Sequence, residues 1–310
     1  MVDKLILASP RGFCAGVSRA IDIVEKALDY FGAPVYVRHE IVHNKHVVED
    51  LKRKGAIFVD ELNEVPENAI VIFSAHGVSP AIKEEAKRRN LRAIDATCPL
   101  VTKVHWEAIK YKKEGYELVL IGHKGHPEVE GTMGETPMHL VENVDDVEKL
   151  ALNGKVAVLT QTTLSVDDTK DIMDALRKKF GTITTPPRED ICYATTNRQN
   201  VVKELAKKCE SVLVIGSQNS SNSKRLVETA QKAGTKAHLI QDKEGIKQEW
   251  LQNVRIIGLT SGASAPERLI QDVIEFFKTK NSQLTIENLE TVKEDIIFPL
   301  PRELCASHNI

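Results

Sequence analysis

The chain alternates short apolar runs with longer stretches whose apolar positions recur at helical spacing. KLILASPRGFC, LRAIDATC and TITTPPREDIC each lead from a short apolar or loop segment into a cysteine. Each cysteine then opens a helix-like run: AGVSRAIDIVEKALDYFG, PLVTKVHWEAIKYKKEG and YATTNRQNVVKELAKKC. A β-rich strand follows in each case (PVYVRHEIV, ELVLIGHKG, SVLVIGSQN) and empties into a polar loop at His43-Asn44, around His126 and Glu128, or from Asn219 to Ser223. A second helical stretch comes next in the first and third units (NKHVVEDLKRKG, SNSKRLVETAQKAG). The middle unit has EVEGTMGET there, a poor helix by propensity. Another strand, an acidic connector, a third strand (AIVIFSAHG, KVAVLTQTT, VRIIGLTSG) and a closing helix complete each unit.

Strands alternating with helices of this length predict βαβ units and parallel sheets, with strands apolar enough to be covered on both faces. The predicted fold class is α/β, three small parallel-sheet lobes in pseudo-threefold order. The lobes are expected over residues 14–97, 98–188 and 189–280. The third unit lacks a final strand while the chain begins with one, so residues 1–13 are expected to complete it, leaving 281–310 as a C-terminal tail packing on the body. Ligands of such sheets bind at the carboxyl ends of strands, where the polar loops fall.

Composition narrows the function without naming it. Lys plus Arg number 42 against 44 Asp plus Glu, so no global field favours nucleic acid or an anionic membrane. Hydrophobic content of 42% and charged content of 28% fit a globular chain with a real core. Neither a signal-peptide pattern nor a membrane-length apolar run is present. Five cysteines, odd in number and far apart, fit a reducing compartment, and the cytoplasm is the expected location.

Cys14, Cys98 and Cys192 recur at intervals of 84 and 94 residues, each ahead of a helix whose dipole favours a thiolate. Three thiolates without a fourth in register are what a metal or iron–sulfur site with one open position needs. Spacing alone leaves a zinc ion on three thiolates and a three-cysteine cluster as rivals. Cys209 and Cys305 fall outside the register. His43, His76 and His126 come from the first two units, and Ser220, Ser221, Asn222 and Ser264 from the third. Such neutral donors and imidazoles at strand-to-helix loops suit a diphosphate, and neither a Walker nor a Rossmann fingerprint is present. Asn222 and Ser223 could instead simply start a helix. Glu128, two residues after His126, can donate a proton if burial raises its pKa, and Thr162 can hold a substrate hydroxyl or relay that proton. The other histidines, His39, His46, His105, His123, His139, His238 and His308, lack register. Basic runs such as Lys52-Arg53-Lys54, Lys87-Arg88-Arg89 and Arg177-Lys178-Lys179 compensate helix dipoles; a docking patch for an acidic redox partner is the alternative.

PRGFCAGV, VRHEIVHN, FSAHGVS, DATCPLVTKVH, GHPEVEGTMG, TQTTLSVDDT, DICYATTNRQ, GSQNSSNS and TSGASAP together resemble the 4-hydroxy-3-methylbut-2-enyl diphosphate reductase family of isoprenoid synthesis, over residues 10 to 266. The resemblance implies a trefoil of three lobes around a central 4Fe–4S cluster held by Cys14, Cys98 and Cys192, whose open iron takes the allylic hydroxyl. It implies a diphosphate site at His43, His76, His126, Ser220, Asn222 and Ser264, with Ser221 adjacent. Glu128 becomes the proton donor and Thr162 the hydroxyl contact. Two electrons, from flavodoxin or from ferredoxin with its reductase, and two protons would then give isopentenyl and dimethylallyl diphosphate plus water. The rivals are a non-redox iron–sulfur hydro-lyase and a phosphate-binding protein with zinc on its three cysteines.

Overall fold

The computed structural model describes residues 2–305; His308 and the end of the expected tail lie outside the described residues. The chain opens with β1 (Lys4–Ser9). Next come α1 (Ala15–Phe31), β2 (Val35–Arg38), α2 (Lys45–Arg53), β3 (Ala56–Val59), β4 (Ile70–Phe73), α3 (Pro80–Arg88) and β5 (Arg92–Asp95). Then follow α4 (Pro99–Lys113), β6 (Glu117–Ile121), α5 (Pro127–Glu135), β7 (His139–Val141), α6 (Val144–Lys149), β8 (Val156–Thr160), α7 (Val166–Phe180) and β9 (Ile183–Thr184). The last stretch holds α8 (Tyr193–Ala206), β10 (Ser211–Ile215), α9 (Ser221–Lys232), β11 (Lys236–Ile240), β12 (Ile256–Ser261), α10 (Glu267–Lys280) and β13 (Thr285–Glu290).

The strands form three sheets in the orders β3-β2-β4-β5, β7-β6-β8-β9 and β11-β10-β12-β1-β13. Their ladders are parallel. The order is the same in all three, with β1 standing where β5 and β9 stand in the other two. The α/β class and the three parallel-sheet lobes read from the sequence are therefore present.

Contacts group the chain into two compact units. One comprises Met1–Cys14, His43–Val47 and Tyr193–Ile296 and carries the five-stranded sheet; the other comprises Ala15–Val42, Val48–Cys192 and Ile297–Ile310 and carries both four-stranded sheets.

In the first unit the strand period of two sends Leu5 and Leu7 to one face, where they pack with Leu259, Leu269, Val273 and Phe277 of β12 and α10. It sends Ile6 and Ala8 to the other, against Val201, Leu205 and Leu226 of α8 and α9. In the second unit Val119 and Ile121 meet Ile172 and Leu176 of α7, while Leu118 and Leu120 meet Val104 and Ala108 of α4. Both faces are thus covered, and full burial of each such side chain contributes ~1.5–3 kcal/mol.

Two elements depart from the sequence reading. EVEGTMGET lies in a true helix, α5, capped by His126 with Pro127 at its start and Glu128 and Glu130 in its first turn. A Cβ at Gly131 would lie 3.3 Å from the Gly77 backbone, and one at Gly134 would collide with Ser79. The glycines that lower helix propensity are what lets α5 lie against the loop after β4. The segment read as the start of a tail forms β13, which extends the sheet beside β1 from Lys4↔Thr285 to Ser9↔Glu290.

Candidate active site

Each of the three in-register cysteines immediately precedes a helix, α1, α4 or α8; all three are partly exposed and none is in a disulfide. Their backbone N–H groups are held alike: Cys14 N donates to Ala263 O (3.2 Å), Cys98 N to Ala75 O (3.0 Å) and Cys192 N to Thr162 O (3.0 Å). Each acceptor lies two residues beyond the third strand of its sheet. The other two cysteines differ. Cys209 is buried in the α8–β10 core, and burial pushes its thiol up to about 12. Cys305 is exposed near the end of the chain. Neither unit by itself gathers three Cys, His, Asp or Glu side chains among the described residues into a metal-holding group. The donor set, three soft sulfurs outside any disulfide, fits an iron–sulfur group.

In the second unit the start of α5 meets the end of β8. Glu128 is 3% exposed. Its Oε1 accepts from Thr162 N at 2.6 Å and its Oε2 from the Thr162 hydroxyl at 3.0 Å. Burial pushes the carboxyl up to about 7, opposed by the two Thr162 hydrogen bonds and assisted by the negative charge of Asp190. The Glu128 N–H donates to His126 Nδ1 at 3.1 Å. That makes Nδ1 the acceptor of the neutral ring and Nε2 its donor. His76 stands edge-on to His126 with ring centroids 5.7 Å apart, and its Nδ1 hydrogen-bonds with Ser74 Oγ at 3.2 Å. The structure therefore brings His76, His126, Glu128 and Thr162 together. Sequence reasoning missed Gln161, 1% exposed, whose Oε1 accepts from His123 N and whose Nε2 donates to Thr163 Oγ1. Its place inside TQTT was the available signal.

In the first unit the start of α9 meets the loop after β12. Ser220 is the N-cap, accepting from Ser223 N at 3.3 Å, while the Ser223 hydroxyl donates to Ser220 Oγ at 3.0 Å. The cap is thus Ser220, and Asn222 sits in the first turn. Asn222 is 5% exposed, and among the described residues neither its Oδ1 nor its Nδ2 has a hydrogen-bond partner. A Cβ at position 262 would collide with Ser223 Oγ, so glycine there admits the serine layer. The Ser264 hydroxyl donates to His43 O at 3.0 Å, and Asn219 Nδ2 lies 3.3 Å from His43 Nδ1. Buried Ser221 completes the cluster. These are neutral donors at a helix N-terminus, the setting for an anion. Ser217, whose Oγ accepts from Lys45 N at 3.4 Å, belongs to the same layer and was not anticipated.

The LytB protein family matches residues 5–278. The chain belongs to this family. It is 58% identical over 309 residues to 4-hydroxy-3-methylbut-2-enyl diphosphate reductase of Saccharophagus degradans, covering 97% of this chain and 99% of that one. It is 55% identical over 308 residues to the Escherichia coli enzyme of the same name, covering 97% of each. The solved E-1-hydroxy-2-methyl-but-2-enyl-4-diphosphate reductase from Plasmodium falciparum superposes with a TM-score of 0.96 at 45% identity, covering 98% of both chains. A second solved reductase, described as the terminal enzyme of the non-mevalonate pathway, gives 0.65 at 32% identity over 90% of this chain and 100% of that one. This LytB family member is an oxidoreductase, as the sequence blocks implied, and its substrate is a small molecule. Among its described residues no helix is long and apolar enough to cross a membrane.

Proposed function

We propose that this chain reduces 4-hydroxy-3-methylbut-2-enyl diphosphate to isopentenyl and dimethylallyl diphosphate in the cytoplasm. Two electrons and two protons enter: the allylic C–O bond breaks, a C–H bond forms, and the hydroxyl leaves as water. The observation that carries this reading is Glu128, a buried carboxyl with a pKa of about 7 gripped by both donors of Thr162. A carboxyl that keeps a proton near neutral pH is the acid that a poor leaving group needs.

Cys14, Cys98 and Cys192 would hold a 4Fe–4S cluster, which when bound would relay electrons and act as a Lewis acid. His43, His76, His126, Ser220, Ser221, Asn222 and Ser264 hold the diphosphate, aided by the positive end of α9. Asn222 supports this role because its buried amide lacks a protein partner. Glu128 delivers its proton to the departing oxygen, and Thr162 orients the carboxyl and contacts the hydroxyl. His126, whose Nδ1 accepts at the start of α5, keeps Nε2 as its donor. Clamping the diphosphate end fixes the allyl end relative to the acid, which converts binding into orientation. Flavodoxin, or ferredoxin with its reductase, supplies the electrons; neither nucleic acid nor membrane takes part.

The test is anaerobic purification with iron and sulfide analysis, then turnover with reduced viologen and the allylic diphosphate. Product formation that requires the reductant supports the reading; turnover without it, or a protein free of iron and sulfide, sinks it. Cys98→Ser should lose or degrade the cluster, and an unchanged iron count would remove Cys98 from the ligand set.

A further inference from the structure

Every cysteine-bearing loop is gripped by a basic side chain from the helix that follows a different cysteine. Arg19, five residues after Cys14 in α1, donates through Nη1 to Thr97 O at 3.1 Å. Thr97 O belongs to the peptide whose N–H is that of Cys98, and that N–H is held by Ala75 O. The Thr97–Cys98 peptide plane is therefore pinned at both ends. Lys103, five residues after Cys98 in α4, donates to Arg188 O at 2.9 Å and pairs with Asp190 at 2.7 Å, in the loop entering Cys192. The Asp190 side chain is 1% exposed, and its Oδ2 accepts from Thr160 N. Arg198, six residues after Cys192 in α8, donates through Nη2 to Gly12 O at 2.8 Å, in the loop entering Cys14. Gly12 N in turn donates to Ser261 Oγ at 2.8 Å. The Arg198 side chain is fully buried and is matched by Glu294 at 3.0 Å. Arg19 also reaches the segment after β13, where its Nε donates to Pro299 O at 2.7 Å.

Helical side chains lean toward the helix N-terminus. A long basic residue about one and a half turns past each cysteine therefore reaches back to the cysteine end of its helix. The three grips form a closed order, from the Cys14 helix to the Cys98 loop, from the Cys98 helix to the Cys192 loop, and from the Cys192 helix to the Cys14 loop.

We propose that Arg19, Lys103 and Arg198 are positioning residues that orient the three cysteines in this cyclic order. The inference rests on reading those cysteines as the ligand set. Fixing the backbone that leads into a cysteine limits where its thiol can stand, so each grip should act on one cysteine more than on the others. A general stabilising role would act on all three equally.

The variants are Arg19→Gln, Lys103→Gln and Arg198→Lys, the last keeping the buried charge so that the fold survives. Lys110→Gln, on the exposed side of α4, is the control. The first readout is cysteine alkylation in the metal-free full chain, resolved by site. Arg19→Gln should accelerate Cys98, Lys103→Gln Cys192 and Arg198→Lys Cys14, each about tenfold relative to the other two. The second is loss of iron to a chelator after anaerobic reconstitution, expected to quicken by about tenfold, the low end for groups that orient metal ligands. Arg19→Lys should restore part of the protection at Cys98. Unchanged rates, or an equal rise at all three cysteines, would overturn the proposal. A wild-type chain that takes up no iron or sulfide would sink the proposed function instead, while the alkylation pattern would still decide the cyclic grip.

Discussion

Glu128→Gln tests the buried acid without needing turnover. Burial holds the Glu128 carboxyl at about 7 against the ordinary 4.5. Between these values the folded chain keeps a proton that the unfolded chain has released. The stability this group contributes is therefore full below about pH 4.5, declines as pH rises, and is lost above about pH 7. The gap of about 2.5 pH units, at about 1.36 kcal/mol per unit, sets an upper estimate of ~3 kcal/mol. Glutamine copies the protonated acid at every pH: its Oε1 can accept from Thr162 N and its Nε2 can donate to the Thr162 hydroxyl. The stability of the variant relative to wild type should therefore rise by ~3 kcal/mol between about pH 4.5 and pH 7.5 and then level off. Urea unfolding of the two metal-free chains, followed by tryptophan fluorescence across that range, measures the difference. Glu107, also lifted to about 7 by burial and by its hydrogen bond to Asp190, titrates in both proteins and cancels. A difference that stays flat with pH would mean that Glu128 is already ionised in the fold, and would refute its assignment as the acid.

Thr162→Val keeps the backbone donor at 2.6 Å and deletes the hydroxyl at 3.0 Å that favours the Glu128 anion. A hydrogen bond to a charged group is worth ~1.5–3 kcal/mol, so the alkaline limb of the pH–rate profile should move up by ~1–2 pH units; a limb that stays or moves down contradicts the coupling. Asn222→Ala deletes a buried amide with no protein partner and should change stability by less than ~1 kcal/mol, while KM for the diphosphate rises about tenfold. A large stability loss with unchanged KM would make Asn222 structural.

Much of the fold is legible in the sequence because the central strands are apolar on both faces and Cys14, Cys98 and Cys192 each mark the same loop-to-helix junction. Leu5 and Leu7 on one face and Ile6 and Ala8 on the other show why such a run reads as continuous rather than alternating. The basic runs also read correctly, since Lys52 and Arg53, Lys87 and Arg88, and Arg177 to Lys179 fall in last helical turns. What escaped is what only long-range partners define. Gly131 and Gly134 lower local helix propensity, and the Gly77 and Ser79 atoms that reward their small size come from a different loop. β13 pairs with a strand at the other end of the chain, and Ile286 on it is 37% exposed, so local polarity hid it. Arg19, Lys103 and Arg198 sit among many basic helical residues. Their spacing from the cysteines gains meaning only when the carbonyls they reach are placed.

The partners of the charged side chains differ between the gripping cations and the buried acid. The three gripping side chains have their charge matched or their donors occupied: Arg198 by Glu294 and Gly12 O, Lys103 by Asp190, Arg19 by Thr97 O and Pro299 O. Among the described residues no cation pairs with Glu128, whose partners are the neutral donors of Thr162. A lysine or arginine within about 4–6 Å would favour the carboxylate and strip the proton at neutral pH. Asp190 works in the other direction, because the charge that steadies the loop entering Cys192 also helps raise Glu128. Keeping a proton on Glu128 near neutral pH thus rests on its burial, on neutral rather than cationic hydrogen-bond partners, and on the nearby negative charge of Asp190.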